Sequence, residues 1–258
     1  MKTYVISDIH LFSKNCRPKA TLAFLKEIRH KAKKLIILGD LFDSIDFDKP
    51  KKKKKKKHIK VLAEIRNLCD NGVEIIWIEG NHDVEAIEFF GSLIGSETIL
   101  AKDHYEVNVG GNKWIFLHGH QFDTFITERP ITTYIASKTY DFIQSIDGPH
   151  YSISRWIKRK SKTLLHICKA NKEKALSYAK KHNGNFIVCG HTHRVGLVSE
   201  DDAIYINTGC WVDHPSHYLE IDQDGKYFIK EFHVIEKEGE ECEEPLSTEL
   251  LEKDLDIQ

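Results

Sequence analysis

The chain has 258 residues, enough for one substantial hydrophobic core, and its formal net charge of −1 gives no overall bias toward nucleic acid. Its six cysteines are scattered without a Cys-x-x-Cys pair, which argues against a zinc ribbon and fits a reducing compartment. No leader segment is visible, and no apolar run reaches the roughly 18 residues that a membrane span needs. We therefore expect a cytoplasmic protein.

Strand and helix patterns alternate through the first third of the chain. Apolar, β-branched runs predict strands at residues 2–7, 35–38 and 73–78, and apolar residues at helical spacing predict helices at residues 18–33 and about 58–71. This order predicts a mostly parallel sheet with right-handed crossovers.

A run of seven lysines, Lys51 to Lys57, precedes the second predicted helix. Because like charges repel one another in a compact structure, we expect this run to be solvated and mobile. A role in gripping an anionic substrate or lipid headgroups is the alternative.

The middle of the chain changes character twice. A short helix is expected near residues 84–90, and the segments 99–108 and 113–117 flank Gly110-Gly111 as an antiparallel hairpin would. From about residue 122 to 183 glycine is scarce and helical periodicity dominates, which predicts a helical cap inserted between two sheet-forming halves.

Strand patterns return after the predicted cap, at residues 186–189, 195–199, 203–208, 218–221 and 226–234. The acidic tail, about residues 236–258, is expected to be a disordered, solvated end, with a partner-binding segment as the alternative. A single domain over residues 1–258 accounts for all of these segments.

Five of the predicted strands end in Asp, Asn or His. These endings are Asp8-Ile9-His10, Gly39-Asp40, Gly80-Asn81-His82-Asp83, His118-Gly119-His120 and Gly190-His191-Thr192-His193. In open α/β sheets ligands bind beyond the carboxyl ends of the strands, so five such endings predict one shared polar centre.

The predicted centre offers both oxygen and nitrogen ligands for metals. The oxygen donors are Asp8, Asp40 and Asn81, and the nitrogen donors are His10, His118, His191 and His193. Such a mixed set, without thiolate, suits Mn²⁺, with Fe or Zn²⁺ as alternatives, better than Ca²⁺ or Mg²⁺. It exceeds what one tetrahedral ion needs, and two ions about 3.5–4 Å apart that share a carboxylate would use it well.

In order and spacing these motifs, from residue 8 to residue 193, resemble those of the calcineurin-like metallophosphoesterases. The resemblance implies an α/β fold, a four-layer α-β-β-α sandwich, whose second sheet suits the strands beyond Val195. It also implies two divalent metal ions. Asp8, His10, Asp40 and His193 would hold one ion, Asp40, Asn81, His118 and His191 would hold the other, and Asp40 would be the bridge.

The same resemblance implies a hydrolytic mechanism, in which a hydroxide shared by the two ions attacks phosphorus. His82, which follows the ligand Asn81, would protonate or steady the leaving oxygen, and packing beside the site is its plainer alternative. Asp43 is a candidate to orient His82 as a carboxylate orients the base of a triad, and Asp83 is a candidate to fix the loop.

Segments outside the metal motifs bear on the substrate. The His118-Gly119-His120 block, the helical stretch after it and residues 206–212 resemble the UDP-2,3-diacylglucosamine pyrophosphatase-like branch, which hydrolyses a nucleotide-lipid diphosphate in lipid A synthesis. The chain departs from that branch at His82, where the better-characterised enzymes often carry Arg. It also departs at Cys210, where near relatives tend to carry Asp.

Cations of the predicted cap are the candidate substrate contacts. Arg129, Arg155 and Arg159, the last two beside Trp156-Ile157, combine charge with apolar groups, and His120 is a fourth candidate. A phosphate-plus-acyl ligand or an anionic membrane surface would use both properties, whereas a helix hairpin with a solvated basic side is the plain alternative.

We therefore predict a metal-dependent phosphoric ester or diphosphate hydrolase that acts on a phosphorylated small molecule or nucleotide-lipid. A peripheral position at the inner membrane is the alternative to a wholly cytoplasmic one. A soluble nucleotide, phosphomonoester or phosphodiester hydrolase is the alternative within enzymes. A non-catalytic scaffold on the same fold is the alternative outside them. No nucleic-acid partner is expected.

Overall fold

The computed structural model describes residues 1–43, 52–83, 94–95, 98–123, 162–234 and 246–249. The helices are α1 (Pro18–Ile28), α2 (Lys52–Asp70) and α3 (Lys162–Lys181). The strands are β1 (Lys2–Ile6), β2 (Ala32–Leu38), β3 (Glu74–Ile78), β4 (Ile99–Ala101), β5 (Tyr105–Val109), β6 (Asn112–Phe116), β7 (Phe186–Cys189), β8 (Gly196–Glu200), β9 (Ala203–Asn207), β10 (Ser216–Ile221), β11 (Tyr227–His233) and β12 (Leu246–Glu249). The short helix expected near residues 84–90 lies outside the described residues.

The first sheet contains seven strands in the order β12-β11-β10-β1-β2-β3-β4. Strands β1 to β4 are mutually parallel, and α1 and α2 carry the chain back to the start of β2 and of β3. Strands β10, β11 and β12 extend the sheet in antiparallel fashion beyond β1. All three crossover strands β1, β2 and β3 therefore end at one edge of this sheet.

The second sheet has the order β5-β6-β7-β9-β8. Its β5–β6 pair is the predicted antiparallel hairpin, and the turn uses Gly110 and Gly111 with φ of 58° and 78°. Glycine adopts two such successive left-handed conformations without the clash that a Cβ would cause. Strands β6, β7 and β9 are parallel, so their carboxyl ends also share one edge.

Three apolar layers hold the elements together. Between the sheets, Val5, Ile36 and Ile76 lie side by side in register and pack toward Trp114 and Val188 of the second sheet. Helices α1 and α2 cover the outer face of the first sheet, and α3 covers that of the second. This is the predicted four-layer α-β-β-α arrangement.

Helix α2 begins earlier than predicted. The prediction of a helix from about residue 58 was wrong at its start, since residues 52–57 of the lysine run are already helical. Lysine has a good intrinsic helix propensity, and the helix continues through it without a break. Helix α1, by contrast, ends at Ile28 rather than residue 33, because Ala32 is buried in β2.

The far part of the chain adds two features. Helix α3, the last part of the predicted cap, packs on the second sheet through Ala175 and Ala179. The rest of that cap, with Arg129, Arg155 and Arg159, lies outside the described residues. Within the acidic tail, β12 pairs with β11, so this part of the tail adds an edge strand that its sequence did not predict.

Truncating a side chain of the layer between the sheets tests this packing. We expect Ile36→Ala to lower the free energy of unfolding by about 2–5 kcal/mol, because it leaves a cavity among buried groups. The control is Ile99→Ala on β4, where the side chain is 41% exposed, and its effect should stay below about 1 kcal/mol. Urea denaturation followed by circular dichroism measures both. Equal losses would contradict the assigned packing.

Candidate metal centre

The backbone around the predicted metal ligands is unusual. Among the described residues, eight other than glycine have a positive φ, and five of these are predicted ligands. These five are Asp8 (53°), His10 (49°), Asp40 (50°), His191 (66°) and His193 (55°). Left-handed conformations are unfavourable for residues with a Cβ and concentrate where the surrounding structure enforces them, often at functional sites.

Backbone hydrogen bonds between loops enforce these conformations. The N–H of Asp8 donates to the carbonyl of Gly39 (3.2 Å), and the N–H of His10 donates to that of Asp40 (2.9 Å). The N–H of Gly190 donates to the carbonyl of His118 (2.9 Å) in the other sheet. Loops from both sheets are thereby fixed at the shared edge before any side chain is considered.

Gly80 lies in the loop after β3 and lets this loop approach the loop after β2. A Cβ at this position would overlap with the backbone nitrogen and the carboxylate of Asp40. The side chain of Asp40 also accepts a hydrogen bond from the backbone N–H of His82 (2.9 Å). Asp40 is therefore held in place by the very loop that presents Asn81 and His82.

Side-chain donor atoms converge on one small region. Three overlapping groups have donor atoms within 4.8 Å of one another, namely Asp8 with His10 and His193, Asp8 with Asp40 and His118, and His10 with Asp40 and His82. Nε2 of His193 lies 3.1 Å from Asp8 Oδ1. Oδ2 of Asp40 lies 3.6 Å from Nε2 of His10 and 3.4 Å from Nε2 of His118. One oxygen thus faces histidines on both sides.

The two remaining predicted ligands border the same region. Oδ1 of Asn81 lies 3.2 Å from Nε2 of His118, and the rings of His191 and His118 are 5.2 Å apart. His118 is fully buried, and its Nδ1 lies 2.6 Å from the carbonyl oxygen of Leu38, which orients the ring with Nε2 toward Asp40. The structure therefore places five predicted ligands in the converging donor groups and the other two, Asn81 and His191, beside His118.

Two buried carboxylates, Asp8 and Asp40, determine the charge of the region. Asp8 and Asp40 are 0% and 2% exposed, and burial alone would raise their pKa. The neighbouring histidines outweigh this effect: His193 helps lower the pKa of Asp8 to about 2, and His118 lowers that of Asp40 well below its usual value. Both groups are therefore carboxylates at neutral pH.

The donor set fits a divalent cation. Asp8 Oδ1 is buried and has no hydrogen bond of good geometry within the described part of the chain, and its neighbour is Nε2 of His193 at 3.1 Å. Burial lowers the pKa of His10 to about 4, so its ring is neutral and keeps a lone pair for a metal. Buried carboxylate oxygens grouped with imidazole nitrogens are a metal-binding arrangement.

His82 and Asp43 form a pair at the rim. Nδ1 of His82 lies 3.4 Å from Asp43 Oδ1, and the His82 side chain is 24% exposed. Burial lowers the pKa of His82, but the hydrogen-bonding influence of Asp43 and the charge of Asp40 raise it more, so its pKa lies above the usual value. The pair favours a protonated imidazole next to the donor cluster.

Asp83 connects three parts of the centre. Its Oδ1 accepts the Phe42 N–H (2.9 Å), and its Oδ2 accepts the Trp77 Nε1–H (3.1 Å) and the Gly80 N–H (3.0 Å). Burial, together with the charge of Asp40, raises the pKa of Asp83 to about 6 despite these hydrogen bonds. The Asp83 side chain therefore fixes the loop, as the sequence predicted.

Two neighbours of the ligands were missed in the sequence. Oδ2 of Asp123 lies 3.1 Å from Nε2 of His191, and the thiol of Cys210 lies against His193. Asp123 follows His118 by five residues on the same loop, a spacing that could have marked it. Cys210 stood out as a departure from a family pattern, but its contact with His193 could not be read from the chain.

His120 lies beside the centre, in a 3₁₀ turn formed by His120–Phe122. Its ring is 5.4 Å from that of His118 and 6.4 Å from that of His191. Burial and the neighbouring His118 lower its pKa to about 4. A neutral imidazole in this position can donate to or accept from a ligand bound at the metal edge.

The family profile of the calcineurin-like phosphoesterases matches residues 1–195. The chain belongs to this family. This calcineurin-like phosphoesterase is therefore a hydrolase of phosphoric esters, and its family uses divalent metals of the kind its donor set fits.

Curated relatives of this phosphoesterase carry a more specific name. The UDP-2,3-diacylglucosamine hydrolase of Edwardsiella ictaluri is 28% identical over 260 residues, which cover 89% of this chain and 92% of the relative. That of Histophilus somni is 29% identical over 243 residues, covering 88% and 99%. The solved structure of an archaeal phosphodiesterase has 18% identity and a TM-score of 0.48, covering 89% of this chain and 98% of its own.

No helix in the described part of this phosphoesterase is both long enough and apolar enough to span a membrane.

Replacing the carboxylate of Asp83 tests its role in the centre. Asn keeps the shape of the side chain, but its amide N–H₂ is a donor and would face the N–H groups that now donate to Asp83. We therefore expect Asp83→Asn to lower the free energy of unfolding by about 1–3 kcal/mol at neutral pH. Asp70→Asn, at a 57% exposed side chain on α2, is the control and should change it little. Urea denaturation compares the two, and indistinguishable stabilities would rule out this role.

Proposed function

We propose that this phosphoesterase is a dinuclear hydrolase that cleaves the diphosphate bond of a UDP-2,3-diacylglucosamine-type nucleotide-lipid. The observation that carries the dinuclear part is the position of Asp40 Oδ2, which faces His10 on one side and His118 on the other. The substrate part rests on relatives that carry this name and match nearly the whole chain.

The proposed ligand sets are those that the family resemblance implies. Asp8, His10, Asp40 and His193 would hold one ion, and Asp40, Asn81, His118 and His191 would hold the other. Asp40 is the proposed bridge because its oxygen lies between the two groups of imidazoles. Oxygen and imidazole donors without a ligating thiolate favour Mn²⁺, with Fe and Zn²⁺ as alternatives.

The bound cations would supply an activated water and offset the negative charge of the phosphoryl group. The chain's own residues would do the rest. His82, with a raised pKa, would donate a proton to the leaving phosphate oxygen, and Asp43 would hold the protonated ring in position. His120 would contact the phosphate from the opposite side of the centre, beside His118 and His191.

Three arginines, Arg129, Arg155 and Arg159, remain proposed contacts for the diphosphate or its surroundings on the basis of sequence alone. A nucleotide-lipid substrate would bring the enzyme to a membrane surface, which makes it a proposed peripheral rather than spanning protein. The helical cap at about residues 122–183 is the proposed site of acyl-chain binding.

A hydrolysis screen tests this function. The purified protein, loaded with Mn²⁺, is compared on UDP-2,3-diacylglucosamine, simple nucleotide diphosphates and phosphomonoesters, with release of UMP or phosphate as the readout. We expect the nucleotide-lipid to be the best substrate and Asp40→Ala to lose at least about 10³-fold in kcat/KM, because the bridging carboxylate is removed. Turnover of monoesters alone would reject the lipid substrate, and full activity of Asp40→Ala would reject the dinuclear centre.

The role of His82 is separable from metal binding. We expect His82→Ala to lower kcat by about 10²–10⁴-fold through loss of the proton donor, with Mn²⁺ affinity by calorimetry within a few-fold of wild type. His104→Ala, a partly exposed histidine near Glu106 and Tyr178 on the second sheet, is the control. The defect should shrink for a substrate whose leaving group needs no proton, such as a p-nitrophenyl ester. An equal defect on that ester would remove His82 from proton donation.

A further inference from the structure

Helix α2 starts at the edge of the molecule that holds the metal centre. It connects the parallel strands β2 and β3, so it runs opposite to both, and its first residue lies where those strands end. The buried His58 fixes this end: its Nδ1 accepts the backbone N–H of Phe12 (3.2 Å), and the two rings are 5.0 Å apart. Phe12 follows the proposed ligand His10 by two residues.

The lysine segment, Lys52–Lys57, precedes His58 within the same helix. Six residues at 1.5 Å each extend about 9 Å along the helix axis, so the segment continues beyond the contact with Phe12. Lys56 and Lys57 are exposed. The side chains of His82 and His193 are about a quarter exposed at this same edge, which makes it the accessible side of the centre.

The charge of this segment is not balanced nearby in the sequence. Residues 44–51 contain two aspartates and two lysines, and the first acidic residue of α2 is Glu64. Cations at this end of a helix oppose its dipole and repel one another, so the arrangement does not stabilise the helix.

An apolar residue adjoins the lysines. Ile59 is 55% exposed and is followed by the exposed Lys60. Free phosphate or a polynucleotide would use the charge alone, whereas the surface of an anionic bilayer offers phosphate groups together with apolar depth. The neighbouring isoleucine therefore favours the lipid surface.

We propose that the lysine segment and Ile59 dock this enzyme on an anionic phospholipid surface, with the metal edge turned toward the lipid. The metal centre would then lie within reach of a headgroup that projects from the bilayer. This inference rests on the proposed function, because docking on a membrane serves an enzyme whose substrate is anchored in lipid.

Vesicle binding tests the proposal directly. The full chain, loaded with Mn²⁺, is sedimented with vesicles of phosphatidylcholine alone or of phosphatidylcholine mixed with phosphatidylglycerol, at low and at physiological salt. The test variant carries Lys53→Gln, Lys54→Gln, Lys56→Gln and Lys57→Gln, since glutamine keeps a similar helix propensity. The matched control removes the same charge from α3 through Lys169→Gln, Lys172→Gln, Lys180→Gln and Lys181→Gln.

We expect wild type and control to bind the anionic vesicles and not the neutral ones, and the test variant to bind at least about tenfold more weakly. Hydrolysis of the soluble ester bis-p-nitrophenyl phosphate should be equal in all three proteins. Binding of the test variant as tight as wild type would overturn the proposal. So would tighter binding of wild type to a single-stranded oligonucleotide than to the anionic vesicles at physiological salt.

The docking surface and the proposed substrate can fail separately. Loss of vesicle binding in the test variant supports the docking surface even when the nucleotide-lipid is not hydrolysed. Conversely, hydrolysis of detergent-dispersed nucleotide-lipid by a protein that ignores anionic vesicles supports the substrate and overturns the docking surface.

Discussion

The centre depends on two carboxylates held where water cannot solvate them. Asp8 and Asp40 are buried at the end of adjacent parallel strands and share the same neighbours. Two such charges repel each other and are costly to bury unless positive charge compensates them. Histidines provide part of this compensation, but one oxygen of Asp8 remains without a hydrogen bond in the described structure. A cation is the simplest group that satisfies all of these atoms together.

The fold tolerates these buried charges because the packing between its layers is apolar elsewhere. Val5, Ile36 and Ile76 lie in register directly behind the loops that carry the donors. Short loops then leave the parallel strands at one edge, and backbone hydrogen bonds join them in pairs. Strain in left-handed residues is tolerated there because backbone hydrogen bonds between the loops hold these residues in place. The rigidity of the sheets is thus what keeps the donors at fixed separations.

Much of this could be predicted from the sequence. Each buried strand is an apolar run that stops at a Gly, Asp, Asn or His, so both the strands and the predicted ligands were visible as local patterns. Contacts that depend on tertiary structure were not visible: Asp123 could be marked by its place after His118, but neither its contact with His191 nor that of Cys210 with His193 could be read from the chain. The start of α2 could not be read from the sequence because repulsion among the successive lysines and their high helix propensity have opposite effects on the helix. Strand β12 was missed because its pairing with β11 leaves little apolar pattern.

The backbone N–H of Trp211 donates to the carbonyl of Asp8 (3.1 Å), and β1 pairs with β10 on one side. Residues near the start of the chain are therefore held partly by residues more than two hundred positions later. During synthesis these late contacts can form only after nearly the whole domain has left the ribosome. A nascent chain stalled before β10 would therefore lack part of the packing around the donor atoms of Asp8 and His10.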